Sequence, residues 1–271
     1  LQSQGKLHDA IKSYKKALII NPNFAEAHYN LGNTHQKYGD LDKAIKSYRK
    51  ALKIKPNLSE AHFNLGNTFY KNGDIIKSIK SYNNAININP DSPLYHFNLG
   101  NALQENGNLI NAIYSFKEAI KLNKSFPEAY NNLGNTFLEQ GENNKAIKYY
   151  TKAIKIKPNY AEAYNNLGNV LRLKGDIVNA IDACKKAIKN RTNFSEAYLN
   201  LANIYKDAND VSNAIRYYRL ALKYKLNFAE AYNNIGHIFQ EKGNIKDAIK
   251  YYKKAVDLKD SFPEAHYNLG N

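Results

Sequence analysis

Apolar residues recur along this chain at intervals of three and four, in runs separated by short stretches of Gly, Asp, Asn and Pro. Such spacing puts an apolar stripe on one face of a helix. The run Ala161-Glu162-Ala163-Tyr164-Asn165-Asn166-Leu167-Gly168 continues through Leu171 and predicts an amphipathic helix, here called helix A. Gly175 suits a left-handed C-terminal position, and Asp176 is placed to cap the next helix by accepting a bond from its orphan N–H groups. Helix B then carries Ala180, Ile181, Cys184, Ala187 and Ile188 on its apolar stripe. In other copies it is stopped by Pro22, Pro56, Pro90 or Pro158, which lack an N–H and clash with the preceding turn. The unit is a helical hairpin.

The hairpin repeats. Glycine falls at Gly32, Gly66, Gly100, Gly134, Gly168, Gly236 and Gly270, with Ala202 in the missing slot, and each step is 34 residues. Alanine keeps the same register at Ala17, Ala51, Ala85, Ala119, Ala153, Ala187, Ala221 and Ala255. The 271 residues divide into a partial repeat 1–24, seven full repeats (25–58, 59–92, 93–126, 127–160, 161–194, 195–228, 229–262) and a partial repeat 263–271. One hairpin cannot bury its own apolar face, so neighbours must stack into a solenoid.

A small residue after a leucine in helix A, an alanine four residues before an aromatic in helix B and a closing proline resemble the tetratricopeptide repeat. Ala44 to Tyr48, Ala146 to Tyr150, Ala214 to Tyr218 and Ala248 to Tyr252 carry the helix B signature, and the resemblance spans the whole chain. It implies an all-α fold, a single right-handed α-solenoid. Departures are local: Lys124, Thr192, Leu226 and Asp260 replace the proline, Asn209 replaces the turn glycine, and Cys184 stands at an aromatic position. The stretch from Phe194 to Phe228 is the least regular, and either a looser junction or a longer helix B fits it.

Little in the chain suggests catalysis. The single Cys184 cannot form an internal disulfide and sits at an inward position without a histidine nearby at helical spacing, which reads as a buried packing thiol. His28, His62, His96 and His266 share one column, which raises the possibility of a metal ladder. Helices pack about 8–10 Å apart whereas Zn–N bonds are about 2.0–2.1 Å, so successive copies cannot share an ion. Tyr130, Tyr164, Tyr198 and Tyr232 fill the same column, as expected of an aromatic packing slot. Asp40 and Asp42 sit at a helix start, where capping explains them. The glycines are spread at the repeat period rather than clustered as in a phosphate loop. No catalytic residue, metal site or cofactor is expected.

Composition narrows the class further. The net charge is +15, methionine and tryptophan are absent, and 43% of residues are hydrophobic, enough to bury a core. No apolar run approaches the roughly 20 residues that cross a bilayer. The start, Leu1-Gln2-Ser3-Gln4-Gly5, has no basic or apolar leader character. A cytoplasmic or nuclear location follows as an expectation, and without an initiator methionine the chain reads as a piece of something longer.

In tetratricopeptide solenoids helix A lines a concave groove, through the second, fifth, sixth, ninth, twelfth and thirteenth residues of the repeat counted from Ala161. The sixth column here is Asn30, Asn64, Asn98, Asn132, Asn166, Asn200, Asn234 and Asn268. The ninth is Asn33, Asn67, Asn101, Asn135, Asn169, Asn203 and Asn271, broken by His237. Asparagine is a poor helix former, so two phased columns need a cause. One is recognition: a carboxamide has donors and an acceptor that can pair with a peptide backbone whatever its side chains. The other is structural, with the sixth column linking adjacent repeats and compositional bias filling the rest.

The double column resembles the superhelical region of nucleocytoplasmic protein O-glycosyltransferases, the O-linked N-acetylglucosamine transferase and its Spindly-type O-fucosyltransferase relatives. That resemblance implies a groove whose asparagines clasp substrate backbones, joined in such enzymes to a catalytic domain absent from these 271 residues. A chaperone-tail clamp also uses such asparagines but adds bases in the second and fifth columns. Here the second column is Glu26, Glu60, Glu128, Glu162, Glu196, Glu230 and Glu264, and the fifth begins Tyr29, Phe63 and Phe97, so acidic chaperone tails are excluded. Across the groove columns eleven acids face four bases, while the basic excess lies on helix B, as at Lys43, Lys46, Arg49, Lys50, Lys53 and Lys55.

The expectation is a non-enzymatic scaffold that takes extended neutral or basic peptide segments, with substrate recruitment for an O-glycosyltransferase as its finer form. Glu128, Glu162, Glu196 and Glu230 with Tyr29, Phe63 and Phe97 would set specificity. The alternative is an assembly scaffold with no attached enzyme. Nucleic acid is disfavoured because the basic face lacks a stacking platform. Apolar edges around Leu7 and Leu269 would permit end-to-end self-association.

Overall fold

The computed structural model describes residues 2–270, and the ninth-column Asn271 lies outside them. Every element among the described residues is helical. The chain forms two compact units, Leu1–Thr136 and Phe137–Asn271. The first contains α1 (Gln2–Ile20), α2 (Ala25–Tyr38), α3 (Leu41–Ile54), α4 (Ser59–Lys71), α5 (Ile75–Ile88), α6 (Pro93–Glu105) and α7 (Leu109–Leu122). The boundary falls within α8 (Pro127–Glu139). The second contains α9 (Asn143–Ile156), α10 (Ala161–Leu173), α11 (Ile177–Asn190), α12 (Ser195–Asp207), α13 (Val211–Tyr224), α14 (Ala229–Glu241), α15 (Ile245–Leu258) and α16 (Pro263–Gly270). Even-numbered helices are helix A of a repeat and odd-numbered helices are helix B.

The turns follow the residues that make them. Gly39 ends α2 at φ +92°, and Asn209, which replaces this glycine, adopts φ +58°, a conformation asparagine tolerates better than most side chains. Asp40 accepts from the Lys43 N–H at 3.1 Å, and Asp176 from the Asn179 N–H at 3.3 Å. Asp40 thus caps α3 as expected, and the hydrogen bonds from Lys43 hold its carboxyl below the ordinary range. In the full repeats helix B keeps one length whether or not a proline follows: α3 before Pro56 and α13 before Leu226 each have 14 residues. The irregular stretch therefore does not lengthen its helix, because the alanine carbonyl four residues back still accepts the closing N–H, as in Lys225 N to Ala221 O at 2.9 Å.

Packing within a hairpin depends on one contact. A Cβ added at Gly66 would lie 2.7 Å from ring atoms of Tyr82, and one at Gly32 would lie 2.6 Å from Tyr48. The missing side chain lets helix B rest its ring against the helix A backbone. Tyr48, Tyr82, Tyr150, Tyr218 and Tyr252 are all buried, and full burial of such a side chain contributes roughly 1.5–3 kcal/mol. Between hairpins, helix B packs on the next helix A, as in the cluster of Ala44, Ile45, Tyr48, Leu65 and Phe69. At the ends Leu7 and Leu269 are half-buried, while Tyr267 of α16 is 72% exposed.

Two glycines separate clash from strain. Gly66→Val should cost about 2–3 kcal/mol by overpacking against Tyr82. Gly39→Ala, with nothing within 4 Å of the added carbon, should lose only about 1–2 kcal/mol through its positive φ. Urea unfolding of both variants measures the difference.

Candidate peptide-binding groove

The asparagine columns meet between repeats. In the first unit, Asn64 Nδ2 donates to Asn33 Oδ1 at 2.9 Å, Asn98 Nδ2 to Asn67 Oδ1 at 2.9 Å, and Asn132 Nδ2 to Asn101 Oδ1 at 2.8 Å. In the second unit Asn234 Nδ2 donates to Asn203 Oδ1 at 3.0 Å. Three of these four oxygens also accept from the buried tyrosine of their own hairpin: Tyr48 to Asn33 and Tyr82 to Asn67 at 2.7 Å, Tyr218 to Asn203 at 2.6 Å. One carboxamide oxygen thus joins helix A to helix B and a repeat to its successor. The structural role considered from sequence is real, and at these four junctions it fixes the amide orientation: the ninth-column asparagine uses its oxygen internally and directs its NH2 elsewhere, while its sixth-column partner keeps its oxygen out of the pair.

The exceptions follow from the residues. His237 interrupts the ninth column, so Tyr252 turns its hydroxyl to Gln240 Oε1 at 2.6 Å and Asn268 donates to fifth-column Asn233 at 3.0 Å. Cys184 brings no hydroxyl to Asn169. There Arg172 Nη2 approaches the Asn169 oxygen at 3.5 Å, and Asn200 donates to Asn165 at 2.9 Å. Arg172 also pairs through Nη1 with Asp207 at 2.8 Å. Asn30 is half-buried in the first hairpin, and Asn135 and Asn166 have interaction partners as well.

The fifth column differs from expectation. Phe63 is 9% exposed and stacks on Tyr95 at 4.6 Å, and Phe97 contacts Phe116 and Phe126. Tyr29 packs on Tyr48 and accepts from Asn64 at 3.1 Å. These rings are spent on the repeat junction. Asn131, Asn165, Leu199 and Asn233 are buried at the same position, because the fifth residue of helix A faces its neighbours there rather than solvent.

The second-column glutamates are partly neutralised. Lys55 reaches Glu26 at 3.0 Å, Lys225 reaches Glu196 at 3.1 Å, and Arg191 pairs with Glu162. The hydrogen bond from Lys55 holds the Glu26 carboxyl below its usual range. At Glu196 burial works the other way, and hydrogen bonds from Ser195 and Lys225 outweigh it. Lys225 and Arg191 also lie over the rings of Phe228 and Phe194, at 4.3 and 4.5 Å. Exposed pairs of this kind contribute about 0–1 kcal/mol each, so their main effect is on groove charge. Glu60 accepts only from Ser59, at 3.2 Å, and Glu230 has no basic partner among the described residues, so acidity persists at those steps. Glu128 is half-buried and engaged.

The column of rings resolves as packing. His28 and His62 donate through Nε2 to the carbonyls of Pro22 and Pro56 at 3.0 Å, His96 to Pro90 at 2.9 Å, and Tyr198 uses its hydroxyl on Thr192 in the same way. Each ring ties down the turn before its own helix. No cluster suited to a metal ion occurs among the described residues. Burial pushes the Cys184 thiol up to about 12.

Where the columns open to solvent they line a cleft of about 240 Å³ in the first unit, formed by Gln36, Asn67, Tyr70, Lys71, Asn98 and Asn101 with Tyr82 behind. The arrangement defines a class: a stack of helical hairpins with a row of oriented carboxamides along helix A. Family profiles place it. The profile described as TPR repeat matches residues 1–39, 37–73, 66–107, 104–141, 134–175 and 236–271, and profiles described as tetratricopeptide repeat match 161–194 and 195–228. The chain belongs to the tetratricopeptide repeat family.

Among solved structures it is similar to MamA, at 33% identity and a TM-score of 0.58 over 60% of this chain and 95% of that one. It is also similar to YrrB, described as a TPR protein with an unusual peptide-binding site, at 21% identity and a TM-score of 0.59 over 69% of this chain and 96% of that one. The APC/C hetero-tetramer Cut9-Hcn1 gives a TM-score of 0.73 at 17% identity, over 97% of this chain and 52% of that one. These last two likenesses concern the fold alone. No curated protein matches the sequence.

The thiol provides a check on the packing. Cys184 is fully buried against Gly168, so iodoacetamide at pH 8 should leave it unmodified in the native protein and label it completely in urea, as read by mass spectrometry. Rapid labelling of the native protein would contradict the packing described.

Proposed function

We propose that this protein is a non-catalytic protein–protein interaction scaffold that holds extended peptide segments along its helix A surfaces. The supporting observation is the fixed orientation of the carboxamides. The NH2 groups of Asn33, Asn67, Asn101 and Asn203 can donate to peptide carbonyls while the oxygens of Asn64, Asn98, Asn132 and Asn234 accept peptide N–H groups. Each such bond contributes about 0.5–1.5 kcal/mol net, so affinity accumulates over several repeats. At about 3.3 Å per extended residue and helices about 10 Å apart, one repeat addresses about three peptide residues. The pairs at Glu26, Glu162 and Glu196 leave the groove less acidic than its composition, and the preference is for neutral or mildly basic segments. YrrB, similar in fold, is itself described by a peptide-binding site.

The finer reading, recruitment of substrates for a protein O-glycosyltransferase of the O-GlcNAc or O-fucose type, rests on the resemblance of the two asparagine columns. The alternative, an assembly scaffold without an enzyme, works through the outer face or the aromatic end of the groove at Tyr29, Phe63 and Phe97, rings that pack on their neighbours here. Self-association through the end helices is a weaker prospect, since Leu7 and Leu269 are half-buried.

Asn101→Asp separates recognition from structure. Its inward oxygen still accepts from Asn132, whereas the donor facing the cleft becomes a carboxylate oxygen. Melting temperature should stay within a few degrees, while affinity for extended neutral peptides, selected on the wild-type protein, should fall about tenfold. Unchanged affinity would remove the basis of the proposal.

A further inference from the structure

On the opposite face of the first unit, a trough of about 880 Å³ opens between α1 and α3. Its floor is apolar, with Leu18, Leu31 and Ile54, and Ile19 stands beside it 79% exposed. Lys15, Lys46, Lys50 and Lys53 surround the mouth, and no carboxylate is among the lining residues. A space of this size is in the range of ligand pockets, about 300–1,000 Å³.

Comparison with the later repeats shows what is particular to this opening. The place held by Ser47 in α3 is held by Ser81, Ser115 and Ala183 in α5, α7 and α11, and by Tyr149, Tyr217 and Tyr251 in α9, α13 and α15. Those tyrosines stack on helix A of their own hairpins, Tyr149 on Phe137 at 5.4 Å, Tyr217 on Tyr205 at 5.3 Å and Tyr251 on Phe239 at 5.4 Å. The helix A position of Phe137, Tyr205 and Phe239 is His35 in the first full repeat, and the ring at the trough floor is His28, a histidine as at His62, His96 and His266 where the other four copies carry tyrosine. His28 is 7% exposed, with Nε2 bound to Pro22 and Nδ1 unpartnered. Small and polar residues thus leave open a volume that tyrosines fill in three later repeats; Ser81 with His62 and Ser115 with His96 repeat the pair, so what sets the first copy apart is its α1 neighbour. Ile19 is also the one apolar residue at its position: the later copies carry Lys53, Asn87, Lys121, Lys155, Lys189, Lys223 and Asp257. The stripe of α1 that corresponds to the hairpin contact of α3 is Ala10, Ile11, Tyr14 and Ala17, which leaves Lys15, Leu18 and Ile19 on a different face.

We infer that the trough between α1 and α3 is a second docking site, which takes an acidic partner segment that inserts a bulky apolar side chain. Charge selects the partner, because four lysines with no lining carboxylate favour glutamates and aspartates around the inserted residue. Depth favours a peptide over a membrane: Leu31 is 7% exposed and recessed between two helices, within reach of a projecting side chain but not of a flat bilayer. This site prefers the opposite charge to the groove and does not depend on it.

The chain supplies its own test, Ser47→Tyr, which places in the trough the ring found at Tyr149, Tyr217 and Tyr251. The probe is a fluorescein-labelled synthetic helix with Phe and Leu on one face and Glu elsewhere, titrated by anisotropy at low and high salt. Binding should weaken with salt, drop about tenfold or more in Ser47→Tyr and in Lys46→Glu/Lys50→Glu, and stay unchanged in Asn101→Asp. Ile19→Glu, at an exposed position that cannot disturb the core, should weaken binding in the same way and covers the case in which Ser47→Tyr fails to fold. Three results would overturn the inference: equal binding by folded Ser47→Tyr or by Ile19→Glu, equal binding of the same helix with Lys for Glu, or retention on phosphatidylglycerol vesicles without binding of the peptide.

Discussion

Within each unit the structure depends on a carboxamide oxygen that serves two partners. At Asn33, Asn67 and Asn203 the oxygen accepts the hydroxyl of the tyrosine buried in its own hairpin and the NH2 of the asparagine one repeat later. A buried hydroxyl without a partner costs about 1–3 kcal/mol, so the tyrosine that fills the hairpin requires the asparagine. The glycine opposite the ring requires the tyrosine, since only a bare backbone lets it approach. Glycine, asparagine and tyrosine are thus one packing unit distributed over two helices, and repetition of that unit generates the ladder.

The irregular copies show how far the unit bends. When His237 removes the carboxamide, Tyr252 finds Gln240 and Asn268 moves to Asn233. When Cys184 removes the hydroxyl, Arg172 approaches Asn169 and Asn200 turns to Asn165. In both junctions the incoming asparagine keeps a carboxamide partner by changing columns. Phe116 also lacks a hydroxyl, yet Asn132 still reaches Asn101, because the fifth-column residue there is Phe97, which offers no acceptor.

Much of the hairpin was legible in the sequence because its signals are local or strictly periodic. Asp40 and Asp176 cap, Asn209 adopts the left-handed turn, and the column of His28 and Tyr198 packs, each through contacts within a few residues. What sequence could not show was which face each column presents at a junction. Phe63 and Asn233 follow groove spacing but are buried, since the twist between neighbouring helices decides which residues a repeat covers. The pairing of Lys225 with Glu196 was also hidden, because it spans 29 residues and depends on where the chain turns after helix B. The trough had a sequence signal, Ile19 where later repeats place Lys, Asn or Asp, which gains meaning only once the helices flanking it are known.

The coupling between neighbouring repeats tests the account most directly. A double-mutant cycle with Asn67→Ala, Asn98→Ala and both together, followed by urea unfolding, isolates the bond that links their repeats. The account predicts strong non-additivity, with a coupling of about 0.5–1.5 kcal/mol. Additive losses would show that the two asparagines do not act as a pair and would contradict the shared-oxygen ladder.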